Sequence, residues 1–311
     1  MKSTDISNLF SPVLSYPDTE ANERLGRLVG LDDHKSRLTK LLGCMVHPDG
    51  FKMWAKIHHP DAPSLVDLMT RRPPLIVLAG DVGSGKTELA ESIGDAVARQ
   101  EEIDIVLFPL SLASRGHGLV GEMSQLLAKA FDHVISECEK LVSESGKPRG
   151  AAILLIDEAD ALAQSREESQ MHHEDRAGVN TLIKGLDRIS ASRLPCATIM
   201  CTNRLGSLDP AIRRRAAEVL EFGRPDDSQR RLLIAAFFDG TGVADEILGR
   251  LVELTGSNSA RTYGLTCSDI TQRLLPGIAL DAYPDGPIDS SRALELAEKF
   301  ESTPPFLDSN R

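Results

Sequence analysis

Short, nearly unbroken apolar runs alternate along this chain with longer stretches in which apolar residues recur every third or fourth position. The runs are LIVLA (75–79), IDIVLFPL (103–110), AILLID (152–157), CATIMCTN (196–203) and AEVLEF (217–222). Each has strand length and little polar alternation, the pattern of a strand covered on both faces. TELAESIGDAVAR (87–99), EMSQLLAKAFDHVISECEKLV (122–142) and VNTLIKGLDRI (179–189) lie between them with helical spacing. In the second, Met123, Leu127, Ala130, Val134, Cys138 and Leu141 share one face. Strands alternating with helices predict an α/β fold: a parallel five-stranded sheet with helices on both faces.

The flanks read differently. Residues 1–24 are polar and broken by Pro12 and Pro17, which predicts an N-terminal arm. LVGLDDHKSRLTKLLGCMV (28–46) has helical spacing, and 47–74, rich in His and Pro, reads as an irregular link. From 226 onward only helical patterns remain: SQRRLLIAAFF, ADEILGRLVEL, SDITQRLLPGIALDA and SRALELAEKF. The expected division is therefore an arm at 1–24, a large α/β domain at 25–225 and a small all-helical domain at 226–311.

Composition narrows the class. The 311 residues carry a formal net charge of −11, which repels nucleic acid in the absence of a basic patch and favours protein as the macromolecular partner. No apolar run reaches membrane-spanning length, and the first twenty residues lack a signal-peptide pattern, so no membrane association and a cytoplasmic location are expected. The five cysteines, Cys44, Cys138, Cys196, Cys201 and Cys267, show no C-x-x-C pair and read as free core thiols.

Gly80-Asp81-Val82-Gly83-Ser84-Gly85-Lys86-Thr87 fits G-x-x-x-x-G-K-[ST] between a strand and a helix. Such a loop curls its backbone N–H groups toward phosphate oxygens, and the following helix N-terminus adds partial positive charge. Lys86 is expected to reach the outer phosphates and Thr87 to ligate Mg²⁺, with Glu88 adjoining the cofactor. The strand ILLI ends in Asp157-Glu158. Asp157 is assigned to Mg²⁺, and Glu158 to accepting the proton of the water that attacks the γ-phosphate. The strand 196–203 ends in Asn203, an amide suited to orienting that water. Leu208-Asp209-Pro210-Ala211-Ile212-Arg213-Arg214-Arg215 crowds three guanidiniums on a short helix, an arrangement that calls for a nearby anion.

In these features the chain resembles the AAA+ ATPases, in particular the classical AAA clade, over roughly residues 25–285. Leu28-Val29-Gly30-Leu31 is similar to the segment that cradles adenine in that family, which implies Val29 and Gly30 as cofactor contacts. The resemblance makes Asp157 and Glu158 the Walker B pair and Asn203 the sensor. It makes Arg214 and Arg215 arginine fingers that reach a neighbour's γ-phosphate. Tyr263 to Ile270 resembles the lid segment G-x-[ST]-G-x-D-I, with Arg273 and Arg261 as candidates for the lid arginine. Gly118-Leu119-Val120-Gly121-Glu122 resembles the first pore loop, Leu119 standing where an aromatic is usual, and Met171 to Val179 would hold the second. The resemblance implies ATP and Mg²⁺ as cofactors, a homo-hexameric ring and a threaded protein substrate.

Within the clade the chain is similar to the pachytene-checkpoint type, which remodels HORMA-domain proteins and whose bare bacterial members serve anti-phage signalling systems. The cues are the long segment between pore loop and acidic strand, the helix EDRAGVNTLIKGLDRI and the bare ATPase module. Two other functions are open to such a sequence: a nucleic-acid motor of clamp-loader or initiator type, and an ATP-dependent assembly scaffold. The DEAD box helicases are set aside because nothing after 226 supplies their second nucleotide-binding lobe. The presence of Glu158 and the arginines speaks against the scaffold.

Overall fold

All five apolar runs become strands of one sheet. A computed structural model describes residues 9–112, 122–142, 148–162, 172–206, 208–259 and 261–305. The strands are β1 (Leu14–Tyr16), β2 (Leu75–Gly80), β3 (Asp104–Ser111), β4 (Gly150–Asp157), β5 (Cys196–Thr202) and β6 (Glu218–Phe222), in the order β1-β3-β4-β5-β2-β6. β3, β4, β5 and β2 pair in parallel, with Phe108 opposite Leu154, Leu154 opposite Thr198 and Thr198 opposite Leu75. Every residue from Gly150 to Ile156 is buried, as a strand covered on both faces requires. Ile156 lies opposite Met200 and Thr202 opposite Ala79, so the carboxyl ends of β4, β5 and β2 emerge at one edge. That edge is where open parallel sheets bind ligands.

Two compact units make up the chain: residues 1–27, 33–79 and 87–221 in one, and 28–32, 80–86 and 222–311 in the other. In the sheet unit the helices are α1 (Thr19–Arg27), α2 (Asp32–Val46), α3 (Pro48–His58), α4 (Pro63–Thr70), α5 (Lys86–Glu101), α6 (Glu122–Leu141), α7 (His172–Ser192) and α8 (Pro210–Arg213). The apolar face of α6 is buried as its spacing predicts, through Leu127, Ala130, Val134 and Cys138, with Phe131 laid on Gly185 of α7. α7 begins at His172 rather than Val179, so most of the stretch assigned to a second pore loop is helix, and Met171 lies outside the described residues.

Three sequence expectations change. The segment expected as an arm contains β1, which pairs antiparallel with β3 and makes the sheet six-stranded rather than five-stranded. Tyr16 is buried there and its hydroxyl donates to the Glu91 carbonyl, while the Asp18 N–H donates to Asp95 Oδ1 at 2.8 Å. A three-residue strand beside prolines is too short to show a period. The segment 47–74 is not an irregular link but α3 and α4, each with proline in its first turn. Proline starts a helix at no hydrogen-bonding cost there, because the first N–H groups have no intrahelical partner.

The second unit holds α9 (Asp227–Phe238), α10 (Asp245–Thr255), α11 (Leu275–Ala282) and α12 (Ser290–Lys299). Its core includes Ile234, Phe238, Leu251, Leu265, Ile270, Leu274 and Ala297. Asp226 and Gln229 form a reciprocal capping box at the start of α9. The stretch SDITQRLLPGIALDA is one wide π-helical turn, Asp269–Leu274, running into α11. The wide turn falls where Pro276 has no N–H to give and its ring would crowd a preceding carbonyl. Among the described residues no helix is long and apolar enough to cross a membrane.

Candidate nucleotide site

The phosphate loop, Gly80 to Lys86, packs within the helical unit rather than the sheet unit. Gly83 has φ +74°, and a Cβ there would lie 2.6 Å from Ser268 Cβ, so both conformation and space demand glycine. The Ser268 N–H donates to the Gly83 carbonyl at 3.0 Å. A Cβ on Gly85 would touch Leu31 Cδ1 at 3.3 Å, which brings the 28–31 segment against the loop. Val29 packs on the helical core, and the Gly30 carbonyl accepts from Gln229 Nε2 at 2.6 Å.

Lys86 is only 6% exposed, and its Nζ donates to the carbonyls of Gly80 (2.8 Å) and Asp81 (2.7 Å) and to Ser84 Oγ (3.3 Å). A buried ammonium at the first turn of α5, beside N–H groups that no helical carbonyl can serve, is the chemistry of an anion cradle. The residues present therefore fit a nucleoside triphosphate. Asp81 pairs with Arg224 at 2.8 Å, and the Val82 side chain is exposed.

In the sheet unit, Thr87 and Glu88 continue the first turn of α5. Glu88, expected near cofactor, pairs with Arg24 at 2.6 Å, and that hydrogen bond holds the Arg24 guanidinium above its ordinary pKa. Asp157 ends β4 and its Oδ1 accepts the Glu158 N–H at 2.8 Å. Glu158 is exposed with φ +54°. A non-glycine residue held there is strained, as groups fixed at functional sites often are.

Asn203 follows β5 and is clamped by Asp160: its Nδ2 donates to Oδ2 at 3.0 Å and its backbone N–H at 3.1 Å. Asp160 also accepts from Thr202 Oγ1 at 2.5 Å and the Arg204 N–H at 3.1 Å. The clamp takes the amide nitrogen of Asn203 and leaves its amide oxygen as the acceptor. Beyond it, Asp209 caps α8 by accepting the Ala211 N–H at 2.7 Å. Arg213 and Arg214 are exposed, and Arg214 makes no ion pair with the described residues. Arg215 pairs with Asp187 of α7 at 3.2 Å. That pair is open to solvent and is worth at most about 1 kcal/mol.

Both candidates for a lid arginine are committed inside the helical unit. Arg261 is buried and donates to the carbonyls of Leu254, Ala297 and Phe300. Arg273 pairs with Asp269 at 3.0 Å and lies over the Phe300 ring. Gly118, Leu119 and Val120 lie outside the described residues.

Sequence reasoning missed three residues. Asp160 was visible as the third acid of Asp157-Glu158-Ala159-Asp160, but nothing local tied it to Asn203. Gln229 is legible as a cap, not as the donor to Gly30. Arg224 carries no local signal at all.

A glycine-rich loop with a buried lysine, an acidic pair at the end of a buried strand and a polar residue after the next are each patterns of the P-loop nucleoside triphosphatases. The chain belongs to the AAA family, the ATPase family associated with various cellular activities, which matches residues 76–224, and it is an ATPase. It is 58% identical over 303 residues to CD-NTase-associated protein 6 of Escherichia coli (strain MS 115-1), 97% of each chain being covered. Among solved structures it is similar to a chain of the E. coli MS115-1 HORMA:CdnC:Trip13 complex. There the TM-score is 0.89 and the identity 57%, covering 97% of this chain and 99% of that one. It is also similar to Rhizobiales Trip13, with TM-score 0.75 and 52% identity over 95% of this chain and 100% of the other.

Proposed function

We propose that this ATPase binds ATP with Mg²⁺ and works as a homo-hexameric ring that remodels a HORMA-domain protein in a bacterial anti-phage signalling system. The observation that carries the reading is the extent of the likeness: 58% identity across 97% of both chains. It reaches past the ATPase core into the helical unit and the N-terminal helices. The solved complex that the chain resembles contains a HORMA protein beside its Trip13 chain.

The roles follow from the chemistry of each group. Lys86 and the loop N–H groups bind the phosphates, Thr87 and Asp157 hold the metal, and Val29 and Gly30 flank the base. Mg²⁺ held there would supply positive charge to offset the negative charge that develops on the phosphoryl group. Glu158 takes a proton from the attacking water, and the Asn203 oxygen, fixed by Asp160, accepts a hydrogen bond from the same water. Arg214, with Arg215 beside it, is supplied to a neighbouring copy, a contribution worth about 10³–10⁵ in rate for phosphoryl transfer. Leu119, between Gly118 and Val120, grips the substrate chain.

A substrate trap tests this. Glu158→Gln protein loaded with ATP is mixed with a lysate and with a purified bacterial HORMA-domain protein. Retention of that protein by a six-copy assembly, with release on exchange to ADP, is the expected result. Retention of nucleic acid alone, or a monomer by mass, overturns it.

A further inference from the structure

Arg224 lies just past β6 and belongs to no motif, yet it makes three hydrogen bonds beside the phosphate loop. Its Nε donates to Asp81 Oδ2 at 2.8 Å, its Nη1 to the Gly264 carbonyl at 2.5 Å and its Nη2 to the Thr303 carbonyl at 2.7 Å. The guanidinium carbon sits 5.5 Å from the centre of the Tyr263 ring. Arg224 is 15% exposed and Asp81 21% exposed, so the pair is largely withdrawn from water.

Asp81 is the second residue of the phosphate loop, and its own carbonyl is one of the acceptors of Lys86 Nζ. A carboxylate in a loop shaped for anions opposes anion binding unless a cation cancels it. Arg224 supplies that cation, and its planar fork does something a point charge cannot. Two of its three donor nitrogens are spent on backbone carbonyls of the Tyr263–Thr266 segment and the C-terminal segment. Both segments are anchored by one buried carboxylate. Asp269 accepts the Thr266 N–H at 3.2 Å, the Thr303 N–H at 3.1 Å and the Thr303 hydroxyl at 2.7 Å. A triphosphate competes for Lys86 with the carbonyls of Gly80 and Asp81. Any resulting shift of Asp81 passes through Arg224 to Gly264 and Thr303.

We propose that Arg224 is a positioning residue of this ATPase, neutralising Asp81 and tying the phosphate loop to the Gly264 segment and to Thr303. The proposal rests on reading Gly80 to Thr87 as the phosphate loop.

A double-mutant cycle with a conservative variant tests it. Arg224→Ala, Arg224→Lys, Asp81→Asn and the double variant Asp81→Asn with Arg224→Ala are compared with the parent. ATP is titrated directly, turnover is measured at saturation, and melting temperature checks the fold. Arg224→Ala should weaken ATP binding on the order of tenfold, because it leaves Asp81 uncancelled. In the Asp81→Asn background the same change should cost no more than about twofold. Arg224→Lys should keep ATP affinity near parental and still lose roughly tenfold in kcat, since it retains the charge but not the fork. An equal affinity loss in both backgrounds, or parental kcat in Arg224→Lys, overturns the proposal. If Arg224→Ala fails to fold, the affinity and kcat of Arg224→Lys decide alone. ATP binding that survives in Lys86→Ala counts instead against the phosphate-loop reading, whatever Arg224 does.

Discussion

Asp160 holds Asn203 from two sides, taking its side-chain amide at 3.0 Å and its backbone N–H at 3.1 Å. The amide proposed as the sensor is thus oriented by a carboxylate outside the proposed reacting groups. Asp160→Ala should release Asn203 and lower kcat on the order of 10²-fold, the scale of a misplaced positioning group. ATP affinity should stay within about twofold, as read by titration beside steady-state turnover. Equal losses in both would make Asp160 a binding residue instead.

Glu158 is held at φ +54° at the end of the acidic strand. Glu158→Gln keeps size and most hydrogen bonding but removes the proposed proton acceptor. Turnover should fall by about 10²–10⁴ while ATP remains bound. Single-turnover hydrolysis alongside nucleotide retention measures both halves.

The three arginines of the α8 segment separate experimentally. Arg214→Ala should reduce turnover by about 10³ or more, and Arg213→Ala should leave it near parental. In rings mixed with Lys86→Ala subunits, Arg214→Ala protein should recover activity, because each defect falls on a different copy's contribution. Asp187→Ala, which breaks only the exposed Arg215 pair, should change stability by less than about 1 kcal/mol.

Asp269 predicts an acid-sensitive helical unit. Burial pushes its carboxyl up, but hydrogen bonds from Thr303 and Thr266 outweigh burial and leave its pKa below the usual range. A folded-state pKa below the unfolded value stabilises above about pH 4, and that stability is lost as pH falls through the folded value. Asp269→Asn should therefore cost about 2 kcal/mol at pH 7, and the gap to the parent should close in acid. Denaturant titrations at the two pH values check the sign.

Leu119 is the last test. Leu119→Asp should spare basal hydrolysis yet stop processing of the proposed HORMA-domain substrate, followed by loss of its folded signal. Continued processing would remove 118–120 from the pore-loop role.

What was legible in the sequence was what repeats or lies close along the chain. The buried strands announced themselves because a strand covered on both faces needs an unbroken apolar run. The phosphate loop was plain because its chemistry is made by eight successive residues. By contrast, the prolines of 47–74 were misread as breakers because Pro48 and Pro63 begin helices. Nothing in composition distinguishes a proline that starts a helix from one that stops it.

The sequence alone determined the fold class, the family resemblance and the candidate catalytic groups, since each depends on short-range pattern. Only the tertiary structure decided which side chains hold those groups in place. Asp160 meets Asn203 across 43 residues, Arg224 meets Asp81 across 143 and Gln229 meets Gly30 across 199. It also decided that the phosphate loop packs with the helical unit. The physical reason is that hydrogen bonds and ion pairs act over a few ångströms of space, whatever the separation along the chain. Partners so far apart leave no period or spacing to read until the backbone has brought them together.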